Sequence, residues 1–245
     1  MSTAWIPANW PGPDGIVAGC TTREGGVSEG EFATLNLGAH VGDAIECVTE
    51  NRQRFTALCD LPAAPLWLEQ VHGTDVVVDP DSAEPAAADA VLTRKPGRVC
   101  AVMTADCLPV LLVSVNGHEL AAAHAGWRGL CDGILENTVQ QFQASPNSIL
   151  AWLGPAISQK NFEVGDEVRQ RFVAHGPRAA RFFTHNDNGR WQADLYGLAR
   201  QRLMQAGIER IYGGDYCTYE DSRRFYSYRR DGPCGRMASF VFRNS

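Results

Sequence analysis

Short apolar runs of strand length alternate with amphipathic runs of helix length along the whole chain, and that alternation is the mark of a mixed α/β fold. A helical bundle would carry the 3.6-residue period throughout, and an all-β sandwich would carry almost none of it. Strands are expected at Gly15–Thr21, Val76–Val78, Val99–Met103, Val110–Val115, Glu119–His124, Ile149–Leu153, Ile211–Cys217 and Met237–Phe242. Helices are expected at Glu50–Leu58, Leu130–Gln143, Gly165–Ala174 and Asp194–Ala206, the last with Asp194 as its N-cap and Gly207 as its stop. The low-complexity stretch Ala83–Ala90 reads as a surface loop. With no repeat and no linker, one domain over residues 1–245 is the expectation.

At 245 residues the chain can bury a sufficient core without staples, so its eight cysteines, none in C-x-x-C spacing, are expected to be free thiols. Cys59 and Cys100 fall within helix and strand patterns, where a buried thiol acts as a small hydrophobe. A formal charge of −6 with no dense basic run argues against nucleic-acid binding. The longest apolar run, Val110–Val115, is far short of the roughly 18 residues of a membrane-spanning helix. The N-terminus has no basic segment followed by an apolar one, so a cytoplasmic protein is expected.

Three segments combine metal-capable side chains with small residues at strand ends or turns: QVHG at Gln70–Gly73, ADCLP at Ala105–Pro109 and HAGWRG at His124–Gly129. Strand termini distant in sequence can converge on one cleft. His72, Cys107 and His124 would then form a three-ligand site, and zinc held by three protein ligands keeps a position open for water or substrate. The same residues also fit a metal-free scheme, with Cys107 as nucleophile, a histidine as base and Asp106 orienting it. From spacing alone, satisfied core or surface residues are the simpler account.

The HAGWRG turn leads into a helix, so its backbone N–H groups and Arg128 could receive an anion; equally, its glycines could only permit tight packing, with Trp127 in the core. Arg23 in TTREGG and Arg229 and Arg230 in YSYRRDG are further anion candidates. Among the other histidines, His40 precedes VGD and could face a cleft.

At these segments the chain resembles the laccase-domain family, also called the multicopper polyphenol oxidase or peptidoglycan editing factor family. The likeness extends through TTREGGVS (Thr21–Ser28), NLGAHVGD (Asn36–Asp43), LEQVHG (Leu68–Gly73), ADAVLT (Ala88–Thr93), TADCLPVLL (Thr104–Leu112), AHAGWRG (Ala123–Gly129), LGPAIS (Leu153–Ser158) and FYSYRRDGPCGRMAS (Phe225–Ser239). Cys234 stands where a Thr or other small residue is expected.

The resemblance implies a layered α/β/β/α sandwich with mixed sheets and a zinc ion on His72, Cys107 and His124. It implies a purine nucleoside phosphorylase that splits adenosine, inosine and methylthioadenosine with phosphate and also deaminates adenosine. Its partners would be a small purine nucleoside and phosphate, in a monomer or homodimer, with Arg23, Arg128 and Arg229 as candidates for holding the phosphate. Copper oxidation is disfavoured, since multicopper centres draw on many histidines, often in H-x-H pairs, and this chain has six with none so paired. The H-x-E and P-C-x-x-C signature of zinc nucleobase deaminases is also missing. Two other readings remain open: a hydrolase that removes a misincorporated amino acid from peptidoglycan precursors, which would need a long groove, and a non-enzymatic binding partner.

Overall fold

The computed structural model describes residues 4–80 and 85–244. Two sheets form its middle. The first is four-stranded and antiparallel, in the order Trp5–Pro7, Ile16–Thr21, Met237–Arg243, Val99–Thr104. The second has six strands, in the order Arg210–Gly213, Ile149–Leu153, Leu108–Ser114, Leu120–Ala125, Ala90–Thr93, Val76–Val78. Its two outer pairs are parallel and its inner pairs antiparallel, so the sheet is mixed.

Side-chain alternation along the strands builds the layers. Leu111, Val113, Ala122 and Trp152 of the larger sheet face Cys20, Cys100, Val102 and Val241 of the smaller one. Their neighbours Val110, Leu112, Ala123 and Leu153 point the other way, into a core shared with Leu130, Leu135, Phe172 and Leu198 of four helices. On the far side of the smaller sheet, Ala101, Phe240 and Phe242 pack under Phe55 of helix Ile45–Leu58. The order is therefore helix, sheet, sheet, helices, the layered sandwich that the resemblance implied. Strands buried on both faces read as nearly continuous apolar runs, which is why Leu108–Ser114 is buried at every position.

Several segments depart from the pattern expected of the sequence. The expected helix Leu130–Gln143 is two short helices, Trp127–Asp132 and Ile134–Gln140, because Gly133 sits at φ +108°, where an α-helix cannot continue. Within Ala83–Ala90, residues 83 and 84 lie outside the described ones, and the remainder is not a surface loop. Ala86–Ala87 is a short strand paired with Leu68–Glu69, and Ala88, Asp89 and Ala90 are fully buried. The strand expected at Ile211–Cys217 stops at Gly213, whose positive φ turns the chain away. All eight cysteines are free thiols; Cys59 caps its helix and Cys100 lies in its strand, both buried. Burial pushes the Cys20 and Cys59 thiols up to about 12. No helix among the described residues is long and apolar enough to cross a membrane.

Candidate metal centre and its cleft

Strand register brings the three motifs together. Leu108 pairs with Ala125 and Pro109 with His124, so Cys107, one residue before Leu108, falls beside Gly126 at the end of the same ladder. Ala90 pairs with Ala123, which sets Asp89 at the level of His124, and the His124 N–H donates to the Asp89 carbonyl at 2.7 Å. The turn 105–107 crosses from the smaller sheet to the larger one, placing Cys107 where the two sheets meet.

The His72 loop is assembled by side chains rather than by a ladder. Gln70 donates from Nε2 to the Met103 carbonyl at 2.8 Å and accepts from the Met103 N–H at 2.7 Å, which ties the loop to the smaller sheet. The carboxylate of Asp89 then accepts the backbone N–H groups of Val71, His72 and Gly73 at 3.2, 3.0 and 2.6 Å. These bonds hold His72 at φ +60°, a backbone region uncommon for a residue with a side chain. The fourth partner of Asp89 is His124 Nδ1, at 2.7 Å from Oδ1. A carboxylate can only accept, so Nδ1 carries the proton and Nε2 is the ring atom available to a metal.

The ligand atoms of His72, Cys107 and His124 all lie within 4.8 Å of one another, and Cys107 Sγ is 3.9 Å from His72 Nε2. Gly126 makes room for them. A Cβ there would stand 3.0 Å from the His72 ring, 3.1 Å from Cys107 Sγ and 3.4 Å from the His124 ring, so only glycine leaves the space between the three donors clear. Two imidazoles and one thiolate suit a borderline cation such as zinc, and the carboxylate behind His124 is the outer partner that metal-bound histidines commonly have.

Local electrostatics shift the protonation of the donors, at Cys107 toward the form a cation would need. Burial alone would raise the Cys107 thiol, but hydrogen bonds and charge from His124 and His72 bring it down to about 6. Burial would lower His124, but Asp89 and the Cys107 sulfur raise it to about 9. Asp89 is held below the usual carboxylate range: burial works against this, and the His124 and Gly73 hydrogen bonds outweigh it. The lowered Cys107 pKa favours the thiolate that a cation would need, and the raised His124 pKa means that binding through Nε2 would release a proton.

The trio lines a cleft of about 440 Å³, a size that encloses a small organic ligand. Met103, Ile157 and Phe162 also line it, as do His40, Tyr228, Arg229 and Arg236. Arg229 is exposed there, while Arg236 is half-buried, with Nη1 donating to the Cys234 and Gly235 carbonyls at 2.8 and 3.1 Å. Burial first, then the charges of Arg236 and Arg52, lowers the pKa of His40, so its imidazole is neutral at pH 7.

The structure thus brings His72, Cys107, His124 and Arg229 to one cleft, and His40 with them. Arg23 and Arg128 do not line it. Arg23 donates to the Ala33 and Ser222 carbonyls and stacks on Tyr226, whereas Arg128 stacks on Trp127 and points to solvent. Arg230 is spent on the carbonyls of Thr218, Tyr219 and Phe225. The glycines of HAGWRG serve close packing: a Cβ on Gly129 would come within 2.6 Å of the Gly73 carbonyl. Asp106 orients neither histidine; that part belongs to Asp89, inside the stretch expected to be a surface loop. Its signal was an acidic residue directly before the apolar run Ala90–Thr93, where a charge survives burial only with several donors around it. A second trio, Cys131, Asp132 and His175, is equally close. There, however, Arg171 binds both carboxylate oxygens of Asp132 at 2.7 and 2.9 Å, and burial raises the Cys131 thiol.

The chain is similar to known proteins over nearly its whole length. A family described as multi-copper polyphenol oxidoreductase laccase matches residues 17–244. The chain is 54% identical to the purine nucleoside phosphorylase YfiH of Escherichia coli (strain K12), over 99% of each sequence. It is 48% identical to a purine nucleoside phosphorylase of Haemophilus influenzae, over 97% of this chain and 98% of that one. The crystal structure of Neisseria meningitidis protein NMB0706 superposes with a TM-score of 0.95 at 44% identity, covering 99% of this chain and 100% of that one.

Proposed function

The chain belongs to the multi-copper polyphenol oxidoreductase laccase family, and from that premise we propose that it is a zinc-dependent purine nucleoside phosphorylase. Its substrates are adenosine, inosine and methylthioadenosine, which it cleaves with inorganic phosphate to the free base and the ribose 1-phosphate (for the last, its methylthio analogue). One observation carries the reading: a single cleft of nucleoside scale contains the His72, Cys107 and His124 donors together with the Arg229 and Arg236 side chains.

In phosphorolysis a phosphate oxygen bonds to ribose C1′ as the C1′–N9 bond breaks. The bonding pair leaves with the base, which takes up a proton, and positive charge develops on the sugar in between. Arg229 and Arg236 supply guanidinium donors for the phosphate and hold it beside the sugar. Phe162, Met103 and Ile157 offer the apolar wall against which a purine loses its water. Neutral His40 can accept or donate a hydrogen bond at the same wall. Zinc on His72, Cys107 and His124 supplies a Lewis acid and a means of lowering the pKa of water, which also suits the deamination of adenosine as a side activity.

The donor set does not suit a copper cluster despite the family's name. Of the six histidines, only His72 and His124 fall together within one group of candidate ligand atoms. A peptidoglycan precursor would need a long groove, and a cleft of about 440 Å³ does not favour one.

Adenosine incubated with and without phosphate, with products identified by mass, tests the proposal. Adenine and ribose 1-phosphate that require phosphate, and that vanish in Cys107→Ala, are expected. A wild-type protein loaded with zinc that releases no adenine would overturn it.

A further inference from the structure

The turn that carries Cys107 from one sheet to the other is held by its neighbour. Asp106 sits at φ +88° and its side chain is buried, with 9% of the residue exposed. Both carboxylate oxygens are occupied: Oδ1 accepts from Thr218 Oγ1 at 2.6 Å, and Oδ2 accepts from the backbone N–H of Arg229 at 2.7 Å. Its carbonyl accepts from the Ile157 N–H at 2.9 Å. The residue next to the Cys107 donor is therefore bonded to the backbone of an arginine that lines the same cleft. Arg229 is fixed at its other end as well, where Nη1 donates to the Glu163 carbonyl at 2.8 Å and the guanidinium lies 5.3 Å from the Phe162 ring.

We propose that Asp106 is a positioning residue that holds the Arg229 guanidinium at the phosphate subsite, at a set distance from the His72, Cys107 and His124 donors. The inference rests on the phosphorolytic reading. Asp106 does not need to touch the substrate, since it acts through the Arg229 main chain. An ordinary turn would place glycine at this φ, where it is free of strain. An aspartate there adds the one thing that glycine lacks, a rigid double acceptor that reaches both Thr218 and Arg229.

Asp106→Gly is accordingly the informative variant, since glycine keeps the turn and deletes only the carboxylate. Binding of inorganic phosphate is measured by calorimetry on the zinc-loaded protein, alongside the KM for phosphate, the KM for inosine and the zinc content. In Asp106→Gly, phosphate affinity is expected to fall about tenfold and the phosphate KM to rise by a similar factor, with inosine KM and zinc content near wild type. Asp106→Asn should recover most of the loss, because its amide oxygen can accept from Arg229 while its NH2 donates to Thr218. In an Arg229→Ala background, Asp106→Gly should have no further effect on phosphate.

Wild-type phosphate affinity in a folded Asp106→Gly overturns the inference, as does a loss confined to thermal stability. A wild-type protein that binds phosphate but yields no ribose 1-phosphate refutes the phosphorylase reading, and the binding data still decide the part played by Asp106. No phosphate binding by the wild type overturns both.

Discussion

Asp89 organises the candidate metal site without being one of its three donors. Its carboxylate gathers three backbone N–H groups of the His72 loop and the Nδ1 proton of His124, so it shapes two of the three donors at once. Asp89→Asn would turn an NH2 toward donors, and zinc affinity should fall by roughly 10- to 100-fold, read by competition with a chromogenic chelator. The sign of its pH dependence follows from its depressed pKa. Its stabilising contribution is present above the ordinary carboxylate range and is lost as the pH falls through the folded value, so acid should loosen the His72 loop in the metal-free protein. Cys107 is the complementary probe. With its thiol near 6, alkylation of the metal-free protein should increase as the pH rises through about 6, far below the range of the buried Cys20 and Cys59. A midpoint in the ordinary thiol range would show that the imidazoles do not act on it. Gly126→Ala tests the space between the donors: its backbone, at φ −58° and ψ 154°, accepts alanine without strain, but the added Cβ would stand 3.0 to 3.4 Å from all three side chains. Metal content should drop while the thermal stability of the apo-protein stays nearly unchanged.

Among the elements, the sequence was most legible where periodicity is strong and least where single residues or long-range bonds decide. Val99–Thr104, Ile149–Leu153 and Met237–Arg243 are apolar runs that become buried strands, within a residue of where the pattern puts them. The pattern could not see the break at Gly133, because the residues on both sides keep a helical spacing and only the backbone angle interrupts it. Nor could it see that Ala86–Ala87 pairs with Leu68–Glu69, a contact between short segments that no local propensity encodes. The candidate donors were legible as three motifs, but their convergence depends on strand register, which no local pattern encodes. The arginines divided for a similar reason: an arginine's partner lies elsewhere in the chain, so Arg23 and Arg229 look alike until the fold sets one against Tyr226 and the other against the cleft. The first helical turn after His124 gives an element-level test. Gly129→Ala places a Cβ within 2.6 Å of the Gly73 carbonyl, so the helix Trp127–Asp132 and the His72 loop must separate. Zinc affinity should decline although no donor is altered, and unchanged affinity would show that this packing does not set the His72 position.

For the molecule as a whole, strand register and the turn between the two sheets bring the candidate donor trio and an arginine pair to one cleft. Arg229→Ala should raise the KM for phosphate by about tenfold or more and leave zinc content intact, since the arginine lies outside the donor trio. The same substitution at Arg128, which is exposed and stacked on Trp127 outside the cleft, should leave phosphate kinetics near wild type. The central claim is that the donor trio, filled with zinc, supports phosphate-dependent cleavage of a purine nucleoside. The most direct test is to strip the protein of metal, titrate zinc back, and follow adenine and ribose 1-phosphate formation against zinc bound per chain. Phosphorolysis that rises in proportion to zinc and levels off at one ion per chain is the predicted result. Full phosphorolysis by the metal-free protein, or a cleavage that yields free ribose at the same rate without phosphate, would contradict it.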